Sequence, residues 1–217
     1  MLFSKSMTFD DEDLGRTAIA AHPAAGRLSD DAGFIEKLKE GDADAFETLI
    51  ERYSGDIYAL VYRLTENPED ARDLTQDTFL SALRSIRKFR GDAELKTWLF
   101  RIAINESRNR FRWWKRRRRE LTISMDANIG DSETPLSDLL TDASESPEDA
   151  ALVREREYAL KAALQDLPVV FREAIVLCDV EGFSYEETAT ALGIGMGTVK
   201  SRISRGREEL RRKLKDF

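Results

Sequence analysis

The 28 residues from 120 to 147 divide this 217-residue chain, because they carry no aromatic side chain, no cation and little helical periodicity. From Glu120 to Ala150 there are nine acidic residues and no basic one. A segment of that composition cannot bury enough apolar surface to order itself alone, so it reads as a flexible acidic linker. On either side of it, apolar residues recur at three- and four-residue spacing, the period of a helix with one buried face. Only five prolines and twelve glycines interrupt the chain, and runs of β-branched residues are few. The expected fold class is therefore all-α: two small helical domains rather than one large one.

Composition removes several classes of function. One cysteine, Cys178, excludes an internal disulfide framework. With a single histidine, His22, it also leaves no Cys/His zinc site, and no metal site is expected. No apolar run approaches the ~18 residues of a membrane span. Met1 to Phe9 is short and polar, and Asp10, Asp11, Glu12 and Asp13 follow it, unlike a signal peptide. The expected compartment is the cytoplasm. No P-loop, HExxH, GxSxG or Cys/His pair is present, so no enzyme chemistry, cofactor or small-molecule substrate is expected.

The net charge is −7, from 34 basic and 41 acidic residues, which taken whole repels nucleic acid. The charge is segregated, however. Arg108 to Arg119 holds eight cations and no acid, and Thr198 to Lys215 holds eight cations and two acids. Screening limits exposed charges to about 8–10 Å at physiological salt, so these two basic patches act locally.

Residues 1–30 lack clear periodicity and read as a flexible tail. In the first domain, 31–119, a helix is expected from a cap at Ser29 to Lys39. Phe46, Leu49, Ile50, Tyr53, Ile57, Leu60, Val61 and Leu64 then form one apolar stripe. Asn67-Pro68-Glu69-Asp70 starts a helix to about Arg87: a capping Asn, proline at the first position, then acids. Gly91 punctuates a loop, and a helix follows from about Ala93 to Lys115. In the second domain, 148–217, Ser146-Pro147 and Pro168 open helices, and two more run from Ser184 to Leu192 and from Thr198 to about Leu214.

Three surfaces carry the functional reading. At the C-terminus, Ser184 and Glu187 have the spacing of a capping box, and Gly193-Ile194-Gly195-Met196-Gly197 makes a turn before a basic helix capped by Thr198. With Ala189 as the small residue that lets the helices cross, this is a helix-turn-helix. Its second helix presents Lys200, Ser201, Arg202, Arg205 and Arg207 to a major groove. In the helix from Ala93, Trp98 lies on the apolar face, while Asn105 and Asn109 share a face suited to base edges. Arginines interleaved with Phe111, Trp113 and Trp114 follow, a pattern that suits opened nucleic acid. Asp70, Asp73 and Asp77, with Gln76 beside them, form an acidic stripe that fits a basic protein partner.

In this order the segments resemble the extracytoplasmic-function (ECF) sigma factors of bacterial RNA polymerase, over about residues 32–217. The motifs are Asp73-Leu74-Thr75-Gln76-Asp77-Thr78-Phe79, Phe89-Arg90-Gly91-Asp92, and Lys96-Thr97-Trp98-Leu99-Phe100-Arg101-Ile102-Ala103-Ile104-Asn105. Leu167-Pro168 with Phe171-Arg172, then Gly182-Phe183-Ser184-Tyr185-Glu186-Glu187 and Gly197-Thr198-Val199-Lys200-Ser201-Arg202, complete the set. The resemblance implies that Asp70, Asp73, Gln76 and Asp77 dock on the β′ clamp helices of core polymerase, with the β flap a second core contact. It implies that Phe89, Arg90, Trp98, Arg101, Asn105, Arg108, Asn109 and Arg112 take the opened -10 element of a promoter. Thr198, Lys200, Ser201, Arg202, Arg205 and Arg207 would read the -35 duplex. It further implies that polymerase draws the two domains apart, and that an anti-sigma factor is a partner. The alternative is a dimeric helix-turn-helix regulator of duplex DNA, which leaves the Phe89 loop, the Asn105 face and Arg108–Arg119 without a task.

Overall fold

The computed structural model describes residues 32–122 and 147–214. The tail, the Ser29 and Ser146 caps, linker residues 123–146 and Lys215 lie outside the described residues. Among the described residues every regular element is a helix. α1 spans Ala32–Glu40, α2 Ala43–Thr65, α3 Pro68–Ser85 and α4 Leu95–Thr122, with a 3-10 turn at Ile86–Lys88. Then come α5 (Pro147–Gln165), α6 (Val169–Ile175) running into a π turn at Val176–Val180, α7 (Tyr185–Leu192) and α8 (Met196–Lys213).

Local chemistry sets these ends. Asp42 caps α2 by accepting the Ala45 amide at 3.0 Å, and the helix closes on Glu66 in the left-handed region at φ 58°. Asn67 Oδ1 accepts both the Glu69 and Asp70 amides, at 2.9 and 3.0 Å, as Pro68 sets the first turn of α3. The apolar stripe of α2 is buried as its spacing predicts, from Phe46 through Leu64, with Ile50 only half-buried. α3 buries Ala71, Leu74, Thr75, Thr78, Phe79 and Ala82, a single helical face. The two threonines fit there because each hydroxyl donates to the carbonyl four residues back.

Two expectations are corrected. α4 starts at Leu95, later than Ala93, and continues to Thr122. α8 begins at Met196 with Gly195 as its cap, so Thr198 lies inside the first turn rather than capping it. A second close crossing, of α8 over α6, is set by Gly206. A Cβ at Gly206 would meet Ile175 Cγ1 at 2.8 Å and Phe171 Cβ at 3.4 Å, so α8 seats directly on α6.

The two modules do not stand apart. One apolar cluster runs from Leu38 in α1 to Ile203 in α8. Phe100 of α4 stacks on Phe183, centroids 4.9 Å apart, and α4 packs along α7. Polar contacts ring this junction. Arg108 grips Glu173 through Nε and Nη2 at 2.8 and 2.6 Å, and Arg63 pairs with Glu181 at 2.6 Å. Arg172 donates to Leu64 O at 3.1 Å and to Leu167 O and Gln165 O, so one cation sits at the C-terminal ends of both α2 and α5, where helix carbonyls carry negative charge. Lys161 reaches the Tyr62 hydroxyl at 3.0 Å.

Candidate nucleic-acid interface

α4 carries an exposed polar face and a face turned to the second module, about 100° apart at 3.6 residues per turn. Arg101, Asn105, Asn109 and Arg112 recur at i, i+4, i+8 and i+11, and all four are exposed on one face. Arg112 donates to Asn109 Oδ1, which ties the two side chains together on this face. Phe100 and Ile104 belong to the neighbouring, buried face. Arg108 is held there as well, by Glu173, whose side chain is 3% exposed; these hydrogen bonds raise the guanidinium pKa and keep it charged. The structure therefore separates Arg108 from the other polar residues of its group.

The loop before α4 also sorts its residues. Phe89 is buried, with its ring tilted 51° against half-buried Trp98 at 5.2 Å. Its outward offering is exposed Arg90, next to Gly91 at φ 79°. Phe89 floors the loop rather than presenting a ring to solvent. Around Arg112, Phe111, Trp113 and Trp114 are exposed, the two indoles meet edge-on at 5.4 Å, and Arg117 lies over Trp113 at 5.0 Å.

The helix-turn-helix forms as read. Ser184 Oγ accepts the Glu187 amide at 3.2 Å, and Glu187 accepts the Ser184 amide at 2.7 Å. Gly193 takes the left-handed conformation at φ 66° that a side chain rarely adopts, and Ile194, half-buried, donates back to Ala189 O. Thr198, Lys200, Ser201 and Arg205 are exposed on α8, and Arg202 is half-buried. Arg207 forks onto Asp179 at 2.5 and 3.0 Å, so it ties α8 to the π turn. Cys178 beside it is half-buried, and burial raises its thiol pKa, with Asp179 adding to the rise, as fits a packing residue.

The acidic stripe is present on α3, facing away from the buried side. Asp70, Asp73 and Asp77 lie along it with exposed Gln76. Arg110 of α4 sits among the three carboxylates, at 3.4, 3.5 and 3.9 Å. Partial burial raises the Asp77 pKa above its ordinary 3.8; Arg110 opposes this, while Glu106 and Asp73 add to it.

Sequence reasoning missed Arg110, Phe183 as a contact residue, and the ion pairs Arg108–Glu173 and Arg63–Glu181. One signal was available. Glu173 lies within the apolar run Phe171 to Leu177, where a carboxylate on a buried phase needs a cationic partner. Nothing in the sequence says which cation.

Comparison with known proteins matches both modules. A family described as Sigma-70 region 2 matches residues 49–119, and one described as Sigma-70, region 4 matches residues 158–210. The chain is 36% identical over 181 residues to the RNA polymerase sigma-H factor of Pseudomonas aeruginosa, covering 83% of this chain and 91% of that one. It is 35% identical to the ECF RNA polymerase sigma factor SigW of Bacillus subtilis, covering 84% and 96%. Among solved structures, the sigma factor RpoE of Bartonella quintana, in complex with the anti-sigma factor NepR, aligns with a TM-score of 0.59 at 32% identity, covering 78% of this chain and 96% of that one. CnrH, in complex with the cytosolic domain of CnrY, aligns with a TM-score of 0.58 at 25% identity, covering 86% and 97%. Among the described residues no helix is long and apolar enough to cross a membrane. The order of the motifs, the two matched regions and full-length likeness to several curated relatives agree, and the chain belongs to the ECF sigma factors, the subunits that direct RNA polymerase to particular promoters.

Proposed function

We propose a division of labour among three surfaces. Asp70, Asp73, Gln76 and Asp77 dock on the basic β′ clamp helices of core polymerase, and the second module meets the β flap. Arg90, Arg101, Asn105, Asn109 and Arg112 receive the opened -10 element, over a floor of Trp98 and Phe89. Capture of an unstacked base offsets the cost of unpairing it, which turns binding into melting. Thr198, Lys200, Ser201, Arg202 and Arg205 meet the -35 duplex, the amides and carbonyl-free edge of the first turn of α8 leading and its cations on phosphate. Arg207 acts from its Asp179 tether as a brace for that helix. Arg108 reaches DNA only after it leaves Glu173. The chain works in the cytoplasm, and an anti-sigma factor, as in the complexes of its solved relatives, is its regulator.

The observation that carries this reading is the exposed Arg101–Asn105–Asn109–Arg112 face on α4, separate from the exposed edge of α8. A dimeric regulator of duplex DNA uses the second and has no use for the first. Run-off transcription with purified core polymerase and a randomised promoter library tests it. Transcripts should begin at defined positions with this chain as the sole sigma factor, and Arg202→Ala should change or relax the preferred -35 bases. Starts that need a holoenzyme already carrying another sigma factor overturn the reading.

The raised Asp77 pKa gives a pH dependence. The charged carboxylate is disfavoured in the folded chain, so this group weighs against stability at neutral pH and ceases to do so as pH falls through its raised pKa. The charge that docking uses is lost over the same interval. Core affinity should therefore decline on acidification at a pH above the range where an ordinary aspartate titrates. Asp77→Asn should remove that limb of the profile and raise the thermal midpoint at pH 7; an unchanged profile sinks the assignment.

A further inference from the structure

The cations of α4 divide into those that the fold occupies and those that it leaves open. Arg108 is held by Glu173, and Arg110 sits among Asp70, Asp73 and Asp77. Arg112 gives a donor to Asn109. Arg116 and Arg117, about one turn further on, are exposed, and no described carboxylate pairs with either. Both lie in the run of eight cations without an acid, Arg108 to Arg119, where like charges repel along the helix until an anion offsets them. Arg117 has a partner of another kind: its guanidinium lies 5.0 Å from the centroid of the Trp113 ring. A ring takes the flat face of a guanidinium and leaves the N–H donors at its edge for a phosphate.

These residues continue the exposed polar face of α4. At about 100° per residue, Arg116 projects between Asn105 and Asn109, and Trp113 lies about 40° past Asn109. Arg101, Asn105, Asn109, Trp113 and Arg117 follow one another at four-residue spacing, a single ridge of the helix. Arg116 and Arg117 stand about 10–12 Å beyond Asn109, or about three nucleotide steps of 3.4 Å. We infer that the nucleic-acid site of α4 extends past Arg112 as a phosphate clamp, made by Arg116 and by Arg117 seated on Trp113, which grips the DNA strand beside the -10 element whatever its sequence. Phosphate is common to every nucleotide step, so the clamp fixes register and carries no sequence information. Trp113 is a positioning residue in it. This deepens the -10 assignment proposed above and rests on it.

The test is holoenzyme affinity for promoter DNA as a function of salt, measured without nucleoside triphosphates so that no transcript competes. Arg116→Gln with Arg117→Gln should lower the log–log slope by about 1.4–1.8, the loss of two phosphate contacts, and equally on every -10 variant. Trp113→Ala should lower it by about 0.7–0.9 and add nothing to Arg117→Gln, while Trp113→Tyr restores it. An unchanged slope in the double variant, as when acidic residues of 120–147 or a protein surface occupy these cations, overturns the inference. So does a changed preference among -10 bases in any of these variants. The -10 assignment fails on a different result: Asn105→Ala with Asn109→Ala, measured in parallel, keeping the wild-type preference among -10 bases.

Discussion

A chain carrying Asp73→Arg and Asp77→Arg together is expected to lose core polymerase, with affinity lower by on the order of 100-fold or more. Both side chains are more than half exposed, and the buried face of α3 lies elsewhere, at Ala71, Leu74, Thr75, Thr78 and Phe79. The reversal places two cations opposite a basic partner and beside Arg110. Like-charge contact across an interface costs several kcal/mol, whereas exposed ion pairs within the chain are worth only about 0–1 kcal/mol. Circular dichroism and thermal melting should be close to wild type, while titration of labelled protein with core polymerase shows the loss. Undiminished affinity removes the stripe from the docking surface.

The second large effect is expected from Glu173→Lys. The Glu173 carboxylate is nearly sealed between the modules, at 3% exposure, and Arg108 forks onto it across the junction. Removing one partner of such a pair typically costs about 3–5 kcal/mol, and a lysine adds repulsion. The modules should part, seen as a larger radius of gyration in solution scattering with helical content retained. Arg108→Glu combined with Glu173→Arg should restore compactness. A Glu173→Lys chain as compact as wild type would show that Phe100–Phe183 and the Arg172 contacts hold the junction without this pair.

On the proposed assignment of α4 to the -10 element and α8 to the -35 element, promoter geometry also demands parting. By their names the two elements lie about 25 base pairs apart, or about 85 Å at 3.4 Å per pair. α4, at 28 residues, is about 42 Å long and packs directly along α7 of the second module. Readers so close together cannot both sit on their elements. The packed form keeps the Arg101–Arg112 face and the acidic stripe accessible, yet prevents the chain from spanning a promoter.

Much of this was legible in the residues. The caps at Asn67 and Ser184 and the apolar stripe of α2 each follow from local chemistry, and local chemistry is what a sequence states openly. The stripe at Asp70, Asp73 and Asp77 and the face at Asn105 and Asn109 were legible for the same reason: helical spacing fixes which residues of one helix are neighbours. The missed features are contacts between elements distant in sequence. Arg108 reads as one of eight cations in a basic run until Glu173, 65 residues on, is brought against it. Phe89 reads as one of the residues that take the opened -10 element until Trp98 is found packed against it. Thr198 looked like a cap because threonine favours that position, but the glycine at 195 starts the helix earlier.

Gly206 has a wider consequence. The bearing of α8 on the rest of its module is fixed by a hydrogen atom where any other residue would place carbon. On the proposed assignment of α8 to the -35 duplex, promoter preference is therefore open to change from beneath, by tilting α8 on Ile175 and Phe171, with every side chain on its outer face unaltered.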